Sequence, residues 1–200
     1  MILPEKNVYP ELFYQVEEAK NFLRSNRLVK IQSYLSSKGY DLLGVPDQRK
    51  PKFFVDLGCG TGLTQNLLFF KKNFTFGLDL VFDMIKIFSS KKKGGIDSLL
   101  MDLSNFIFPF KIEKIDFFIS ISAFQWIKLP NFFKKENKLI NVFEKKEKKN
   151  CRTIIQFYPY DSEHLKDIYK SFQRILFNKF LIIENPKNKK KRKFFLIFGE

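Results

Sequence analysis

Residues Val55-Asp56-Leu57-Gly58-Cys59-Gly60-Thr61-Gly62 constrain the fold more than any other stretch of the chain: an apolar run closes on an acidic residue, and glycines follow at alternate positions. Phe53-Phe54-Val55 has the length and apolarity of a buried parallel strand, and the residues from Thr61 onward read as the start of a helix. Strand, glycine loop and helix in that order make a nucleotide-binding turn. Glycine suits such a loop because a ligand must approach the main chain closely and because positive φ is open to it; a Cβ would obstruct both. The spacing is GxGxG. A dinucleotide fold uses GxGxxG, whose third glycine brings the helix close to the strand beneath a pyrophosphate, and that register is missing here. The loop therefore favours S-adenosylmethionine (SAM) over NAD, with a purely structural corner as the alternative to both.

Further strand-like segments follow at βαβ spacing. Phe74-Thr75-Phe76-Gly77-Leu78-Asp79 is a second apolar strand ending in a carboxylate, where a doubly wound sheet places the acceptor for ribose hydroxyls. Ser98-Leu99-Leu100-Met101-Asp102 reads as a third and Ile115 to Ser122 as a fourth. Asp56, Asp79 and Asp102 thus fall at the carboxyl ends of successive expected strands, where ligands bind in open α/β sheets. Each alone reads equally well as a helix cap or turn residue, but all stand in register with the glycine loop. Thr153 to Phe157 is a fifth strand, followed by a helix around Glu163 to Phe177, and two closing strands lie near Leu181 to Ile183 and Phe194 to Phe198. Lys187-Asn188-Lys189-Lys190-Lys191-Arg192-Lys193 between them is expected to be a hairpin loop, with an import signal or a phosphate contact as further roles. Upstream, Glu11 to about Leu43 reads as N-terminal helices, with Leu12, Val16, Ala19, Leu23 and Leu28 spaced as an apolar stripe, and Gly44-Val45-Pro46 closes that segment.

Two hundred residues are enough to bury a substantial core, and a single domain over 1–200 is the simplest count, with 1–50 as a helical lid and 51–200 as an α/β core. A net charge of +15 invites a nucleic-acid partner, since Lys and Arg that neutralise phosphates release counterions. Abundant Lys, Phe, Ile and Asn are also what A/T-rich coding sequence produces, so charge alone does not decide the point. Cys59 sits in the glycine loop and Cys151 far from it, which supplies neither a disulfide framework nor a metal pattern and fits a reducing compartment. No apolar run approaches the roughly 18 residues of a membrane span.

With these segments in place the chain resembles the small-subunit ribosomal RNA guanine-N7 methyltransferase family, a SAM-dependent group acting in ribosome biogenesis. The resemblance is carried by Pro10-Glu11-Leu12-Phe13-Tyr14, Asn26-Arg27 with Ile31-Gln32, Asp56 to Leu63, Gly77-Leu78-Asp79, Ile119-Ser120-Ile121-Ser122-Ala123 with Gln125-Trp126, and Lys193-Phe194-Phe195-Leu196. It runs from about residue 10 onward, and the ISISAxQW and PELFY segments discriminate far better than the glycine loop. It implies a Rossmann-like class I methyltransferase fold: a seven-stranded, mostly parallel sheet with helices on both faces and an N-terminal helical segment. SAM is the implied cofactor, with Asp56, Gly58, Cys59, Gly60, Asp79, Leu80, Asp102, Leu103 and Ser120 as its expected neighbours. Also implied are small-subunit pre-rRNA as substrate, action in the nucleus (nucleolus) and cytoplasm, and a small zinc-binding activator subunit that extends the sheet beside strand three. The sequence gives the last a physical basis, because Ile96 to Met101 would be an edge strand carrying Leu99, Leu100 and Met101. Met84, Ile85, Ile87 and Phe88 would add apolar surface, and Lys91-Lys92-Lys93 is the alternative guard of that edge.

Methyl transfer to guanine N7 asks little of side-chain chemistry, since N7 already presents a lone pair at neutral pH. Positioning is the expected contribution, from Ser122, Gln125 and Trp126. The Asn/Asp-Pro-Pro-aromatic turn of exocyclic-amine methyltransferases is replaced by Ser120-Ile121-Ser122-Ala123, and neither cysteine has the Pro-Cys context of C5-pyrimidine enzymes. Phe124, Gln125, Trp126 and Tyr158 are the substrate candidates, offering stacking faces and an amide to a flipped purine, although a lone Trp in an apolar segment also fits a core. Phe13, Tyr14 and Arg27 are expected to close over the cofactor, with Arg27 pairing its carboxylate. His164, the single histidine, reads as an exposed structural residue rather than a base. The competing functions are a SAM-binding ribosome-assembly factor without essential catalysis, and a methyltransferase of small molecules or proteins.

Overall fold

β1 (Phe53–Leu57) is apolar on both sides of its pleat apart from Asp56, and it sits at the centre of a seven-stranded sheet of order β3-β2-β1-β4-β5-β7-β6. The computed structural model describes residues 9–14, 16–46, 50–90, 94–103, 114–126, 138–147, 151–172, 179–189 and 191–199. The other strands are β2 (Phe74–Asp79), β3 (Ile96–Leu100), β4 (Phe117–Ile121), β5 (Arg152–Phe157), β6 (Lys179–Glu184) and β7 (Lys193–Phe198). β7 pairs antiparallel with both β5 and β6, and the other pairings are parallel. The helices are α1 (Pro10–Phe13), α2 (Val16–Arg24), α3 (Asn26–Leu42), α4 (Leu63–Phe70), α5 (Phe82–Ser89), α6 (Lys138–Glu147) and α7 (Ser162–Ser171).

Alternation along the strands divides the core in two. Val55, Leu57, Leu78, Phe118 and Ile155 pack on one face with Leu139 and Phe143 of α6 and Ile168 of α7. Phe54, Phe117, Ile119, Ile154 and Phe195 pack on the other with Leu35 of α3 and Leu68 of α4. Strands buried on both faces read as continuous apolar runs, which is why these segments were legible. The mostly parallel sheet, covered on both faces, is the architecture the resemblance implied. No helix among the described residues is long and apolar enough to cross a membrane.

Several boundaries differ from the sequence reading. α4 begins at Leu63 rather than Thr61, because Gly62 caps it in the left-handed region at φ 85°. β3 ends at Leu100, so Asp102 stands beyond the strand and not at its tip. β4 covers Phe117–Ile121, inside the expected 115–122. The N-terminal stripe is not one buried face: Ser25 caps a new helix by accepting from Leu28 N, the phase is broken, and Leu12 and Leu28 are exposed while Ala19 is buried. α7 ends at Ser171, and residues 173–177 of the expected longer helix lie outside the described residues, as do Lys91 to Lys93.

Candidate active site at the carboxyl ends of the strands

The alternate glycines do three different jobs. Gly58, Gly60 and Gly62 all have positive φ, at 81°, 54° and 85°. A Cβ on Gly58 would stand 2.2 Å from the Cβ of Ala123, and one on Gly62 would stand 2.0 Å from the ring of Phe88. These two are required by packing. A Cβ on Gly60 would meet no described heavy atom within 4 Å, so the space in front of that backbone is kept open for something other than protein. The loop is held by Leu78 O, which accepts from Gly58 N at 2.7 Å and Cys59 N at 3.0 Å. Asp79 completes it, its Oδ2 accepting from Gly60 N at 2.7 Å and its Oδ1 from Val81 N at 2.9 Å.

A cavity of about 450 Å³ opens above this loop. Gly58, Cys59 and Gly60 line it, with Asp79 and Leu80 after β2 and Asp102 and Leu103 after β3. Ser122, Gln125 and Trp126 after β4, and Tyr158 after β5, form the opposite wall. Carboxyl ends of parallel strands are where an open α/β sheet leaves such a crevice. The size and an open, glycine-floored cradle beside a buried carboxylate suit an adenosyl cofactor: Gly58 to Gly60 and Asp79 would hold it.

Several expected contacts, Phe13 among them, do not line this cavity. Asp56 is 1% exposed and lies one position short of the end of β1. Ser120 is fully buried, its Oγ donating to Leu57 O at 2.6 Å and so bracing β4 against β1. Phe124 is 1% exposed and joins the core, its ring centroid 6.1 Å from that of Phe172. The 3₁₀ turn Phe124–Trp126 explains the split: consecutive residues there point about a third of a turn apart, sending Phe124 inward and leaving Gln125 and Trp126 on the cavity. Arg27 is exposed and also off the lining. In its place α3 supplies Leu28, expected only in the apolar stripe, and Gln32, one helical turn apart on the same face.

The wall after β4 is locked from several sides. Ser122 adopts φ 58°, uncommon for a residue with a Cβ, and donates its Oγ to Gln156 Oε1 at 2.8 Å. Gln125 Nε2 donates to Ser122 O at 2.9 Å, while Oε1 has no hydrogen-bond partner among the described residues. Tyr160 OH donates to Gln125 O, and Tyr160 is itself placed by a stacked His164, whose Nδ1 accepts from Tyr160 N at 3.1 Å. His164 is thus half-buried and structural, not exposed. The N-terminal aromatics close on the same wall, with Phe13 and Tyr14 ring centroids 5.4 and 5.3 Å from that of Trp126.

Burial dominates the electrostatics. It pushes the Asp79 carboxyl up, against the backbone N–H groups of Val81, Gly60 and Leu80 that favour the ionised form. It pushes the Cys59 thiol well up, with the charges of Asp79 and Asp56 adding to the effect, so Cys59 is an inert thiol and not a nucleophile. Tyr158 is pushed up to about 12 by burial. Asp56 is raised well above the usual carboxylate range by burial first and the charge of Asp79 second, and both its oxygens lack a hydrogen-bond partner among the described residues. A folded-state value above the unfolded one gives stability that is full below the ordinary carboxylate pKa and lost as pH rises through the raised value. Asp56→Asn cannot ionise and escapes that loss. In the cofactor-free protein its unfolding free energy, relative to the natural chain, should therefore improve steadily with rising pH; a difference that is flat with pH would show that Asp56 titrates normally.

Comparison with known proteins agrees with this geometry. A family described as "Methyltransferase domain" matches residues 55–141. A probable 18S rRNA (guanine-N(7))-methyltransferase of Dictyostelium discoideum is 30% identical over 98% of this chain and 70% of its own length. The 18S rRNA (guanine-N(7))-methyltransferase of Bos taurus is 32% identical over 96% and 69%. Among solved structures, magnesium protoporphyrin IX methyltransferase from Synechocystis with bound SAM shares the fold at TM-score 0.66 and 15% identity, over 98% of this chain and 97% of that one. A complex of the Haloferax volcanii Trm112 methyltransferase activator with a methyltransferase superposes at TM-score 0.60 and 13% identity, over 97% and 98%.

Proposed function

We infer the reaction from a premise that the comparisons establish: the chain belongs to the 18S rRNA (guanine-N(7))-methyltransferase family. It is a SAM-dependent methyltransferase that acts on N7 of a guanosine in small-subunit ribosomal RNA during ribosome biogenesis. SAM, when bound, supplies a methyl group on a sulfonium. N7 needs no base to become a nucleophile, so the chain's task is alignment, an effect worth up to about 7–11 kcal/mol. The backbone of Gly58 to Gly60 would cradle the cofactor, Asp79 would accept from its ribose hydroxyls and Asp102 would stand near its adenine amine, with Cys59, Leu80 and Leu103 completing the walls.

The observation that carries the choice of base is the unpartnered Oε1 of Gln125. Its amide orientation follows from the bond its Nε2 makes to Ser122 O, which leaves the oxygen as an acceptor in a residue that lines the cavity. Guanine offers two adjacent donors, N1–H and N2–H, along its Watson–Crick edge, whereas adenine offers only N6–H beside an N1 acceptor, so an acceptor set opposite N1 suits guanine. Trp126 and Tyr158 form the sides of the base pocket, and Ser122 positions Gln125. Incubation of the purified chain with labelled SAM and small-subunit pre-rRNA should yield 7-methylguanosine on nucleoside analysis. Recovery of only N6-methyladenosine, or of a methylated protein, would reject the reading; binding of SAM and RNA without transfer would favour an assembly factor. Gln125→Ala should lower kcat/KM for RNA by roughly 1–3 kcal/mol through the lost buried hydrogen bond and leave SAM affinity unchanged.

The reading extends to a partner. β3 is the edge of the sheet, with Leu99 39% and Leu100 47% exposed and Phe74 and Phe82 exposed nearby, while Met84 and Phe88 turn into the core. A strand added there by a small zinc-binding activator would pair the bare edge and cover these side chains. Without it the chain should associate with itself despite its charge. A monodisperse SAM-binding monomer that ignores added activator would refute this; loss of a 1:1 complex in a folded Leu99→Lys variant would support it. Action in the nucleus, including the nucleolus, and in the cytoplasm belongs to the same proposal.

A further inference from the structure

The turn between β6 and β7 carries Lys187, Lys189, Lys191 and Arg192, Lys193 opens β7, and the sequence holds no acidic residue from 185 to 193. Its location follows from strand register. β7 runs antiparallel to β5 with Phe194 opposite Phe157, and Lys193 pairs with Glu184 across the hairpin. The turn therefore stands at the end of the sheet where β1, β4 and β5 finish, which is the end the cavity occupies. One strand spacing, about 5 Å, separates each neighbour. The link to the cavity wall is direct: Nζ of Lys193 lies 5.2 Å from the ring centroid of Tyr158, a lining residue.

The turn is held by its own bonds. Asn188 N donates to Asn185 O at 3.0 Å, Lys191 N to Asn188 O at 3.0 Å, and Asn185 Nδ2 to Lys191 O at 3.4 Å. Arg192 turns inward, its Nη2 donating to Pro186 O at 2.5 Å. The one guanidinium is thereby spent on the fold, and Lys187, Lys189 and Lys191 are left exposed on a shaped loop. Compact ammonium charges without a bidentate fork suit sequence-independent contact with phosphates better than recognition of base edges.

We propose that the β6–β7 hairpin is a phosphate-binding track that grips the single-stranded RNA flanking the guanosine held in the cavity. The proposal rests on the RNA substrate inferred above. A base that enters a cavity must leave its stack, and RNA gives up such bases most readily from single-stranded loops and bulges, where the flanking phosphates are accessible. Lys193 beside Tyr158 would make the first such contact, and the exposed lysines would continue it away from the cavity.

The test is a Lys187→Gln, Lys189→Gln, Lys191→Gln variant of the full chain, with its fold checked by denaturant midpoint and its SAM affinity by calorimetry. Binding of a single-stranded small-subunit rRNA fragment is then followed by anisotropy over a salt series. Each phosphate contact on a single strand contributes about 0.7 to the slope of log K against log salt, so the variant should lose about 2 from that slope and about tenfold or more in affinity at low salt. Unchanged slope and affinity would overturn the proposal, including the case in which the hairpin is instead read by an import receptor. Should the triple variant fail to fold, the single Lys→Gln variants carry the test, each losing about 0.7. The two readings separate cleanly. Hairpin-dependent RNA binding without 7-methylguanosine would remove the reaction and keep the track, whereas 7-methylguanosine with a hairpin-independent slope would do the reverse.

Discussion

A folded Asp79→Ala protein should bind SAM roughly 2–4 kcal/mol more weakly, a loss of about thirty- to several-hundred-fold. A carboxylate offers about four lone-pair sites; Gly60 N and Val81 N use one on each oxygen, and Leu80 N also favours the charged group. The remaining capacity faces a cavity that Asp79 lines, where two adjacent ribose hydroxyls could donate. Removing the side chain deletes those acceptors and also releases the amide of Gly60 from the floor of the cradle. The second effect adds to the first, because a loosened loop must be reordered when the cofactor arrives. Asp79→Asn should not rescue the site, since its amide nitrogen would confront one of the backbone N–H donors. Titration calorimetry on protein shown to be folded decides the matter; affinity within twofold or so of the natural chain would remove Asp79 from the cofactor site.

The sheet was legible because its central strands are buried on both faces, which forces apolar runs such as Phe53 to Val55 and Phe117 to Ile119. Asp79 was legible for a related reason: a carboxylate that ends such a run needs donors, and Gly60 and Val81 provide them. What sequence did not reveal was side-chain direction outside regular structure. Phe124 and Gln125 are neighbours with opposite fates, and a 3₁₀ turn has neither the period of a strand nor that of an α-helix by which to tell them apart. Ser120 falls one residue short of the cavity, which begins at Ile121, the last paired residue of β4. The N-terminal segment misled in another way. A continuous stripe assumed a continuous helix, and the caps at Tyr14 and Ser25 cut it into three.

Gly62→Val should destabilise the fold by about 2–5 kcal/mol, while Gly60→Ala should leave the fold nearly intact and abolish SAM binding. Both positions have positive φ, and the usual argument for glycine treats them alike. Their surroundings separate them. At Gly62 the added Cβ falls 2.0 Å from the ring of Phe88 on α5, which is 4% exposed, so the buried ring has little room to move aside. Overpacking of that kind costs about 1–3 kcal/mol. The left-handed backbone adds roughly 1–2 kcal/mol for a residue with a Cβ, and more weight falls on valine because its branch restricts χ1. Against a total stability of about 5–15 kcal/mol this brings the protein close to unfolding. At Gly60 the backbone cost is of the same kind, but φ 54° lies where non-glycine residues are found and no described atom stands within 4 Å of the new Cβ. That methyl group would instead occupy the floor of the cradle. Denaturant midpoints and SAM calorimetry on the two variants should therefore dissociate: one protein unfolds at a much lower midpoint, the other keeps its midpoint and loses its ligand. Normal SAM affinity in Gly60→Ala would mean that the main chain does not approach the cofactor there, and an unshifted midpoint in Gly62→Val would mean that Phe88 has a second place to go.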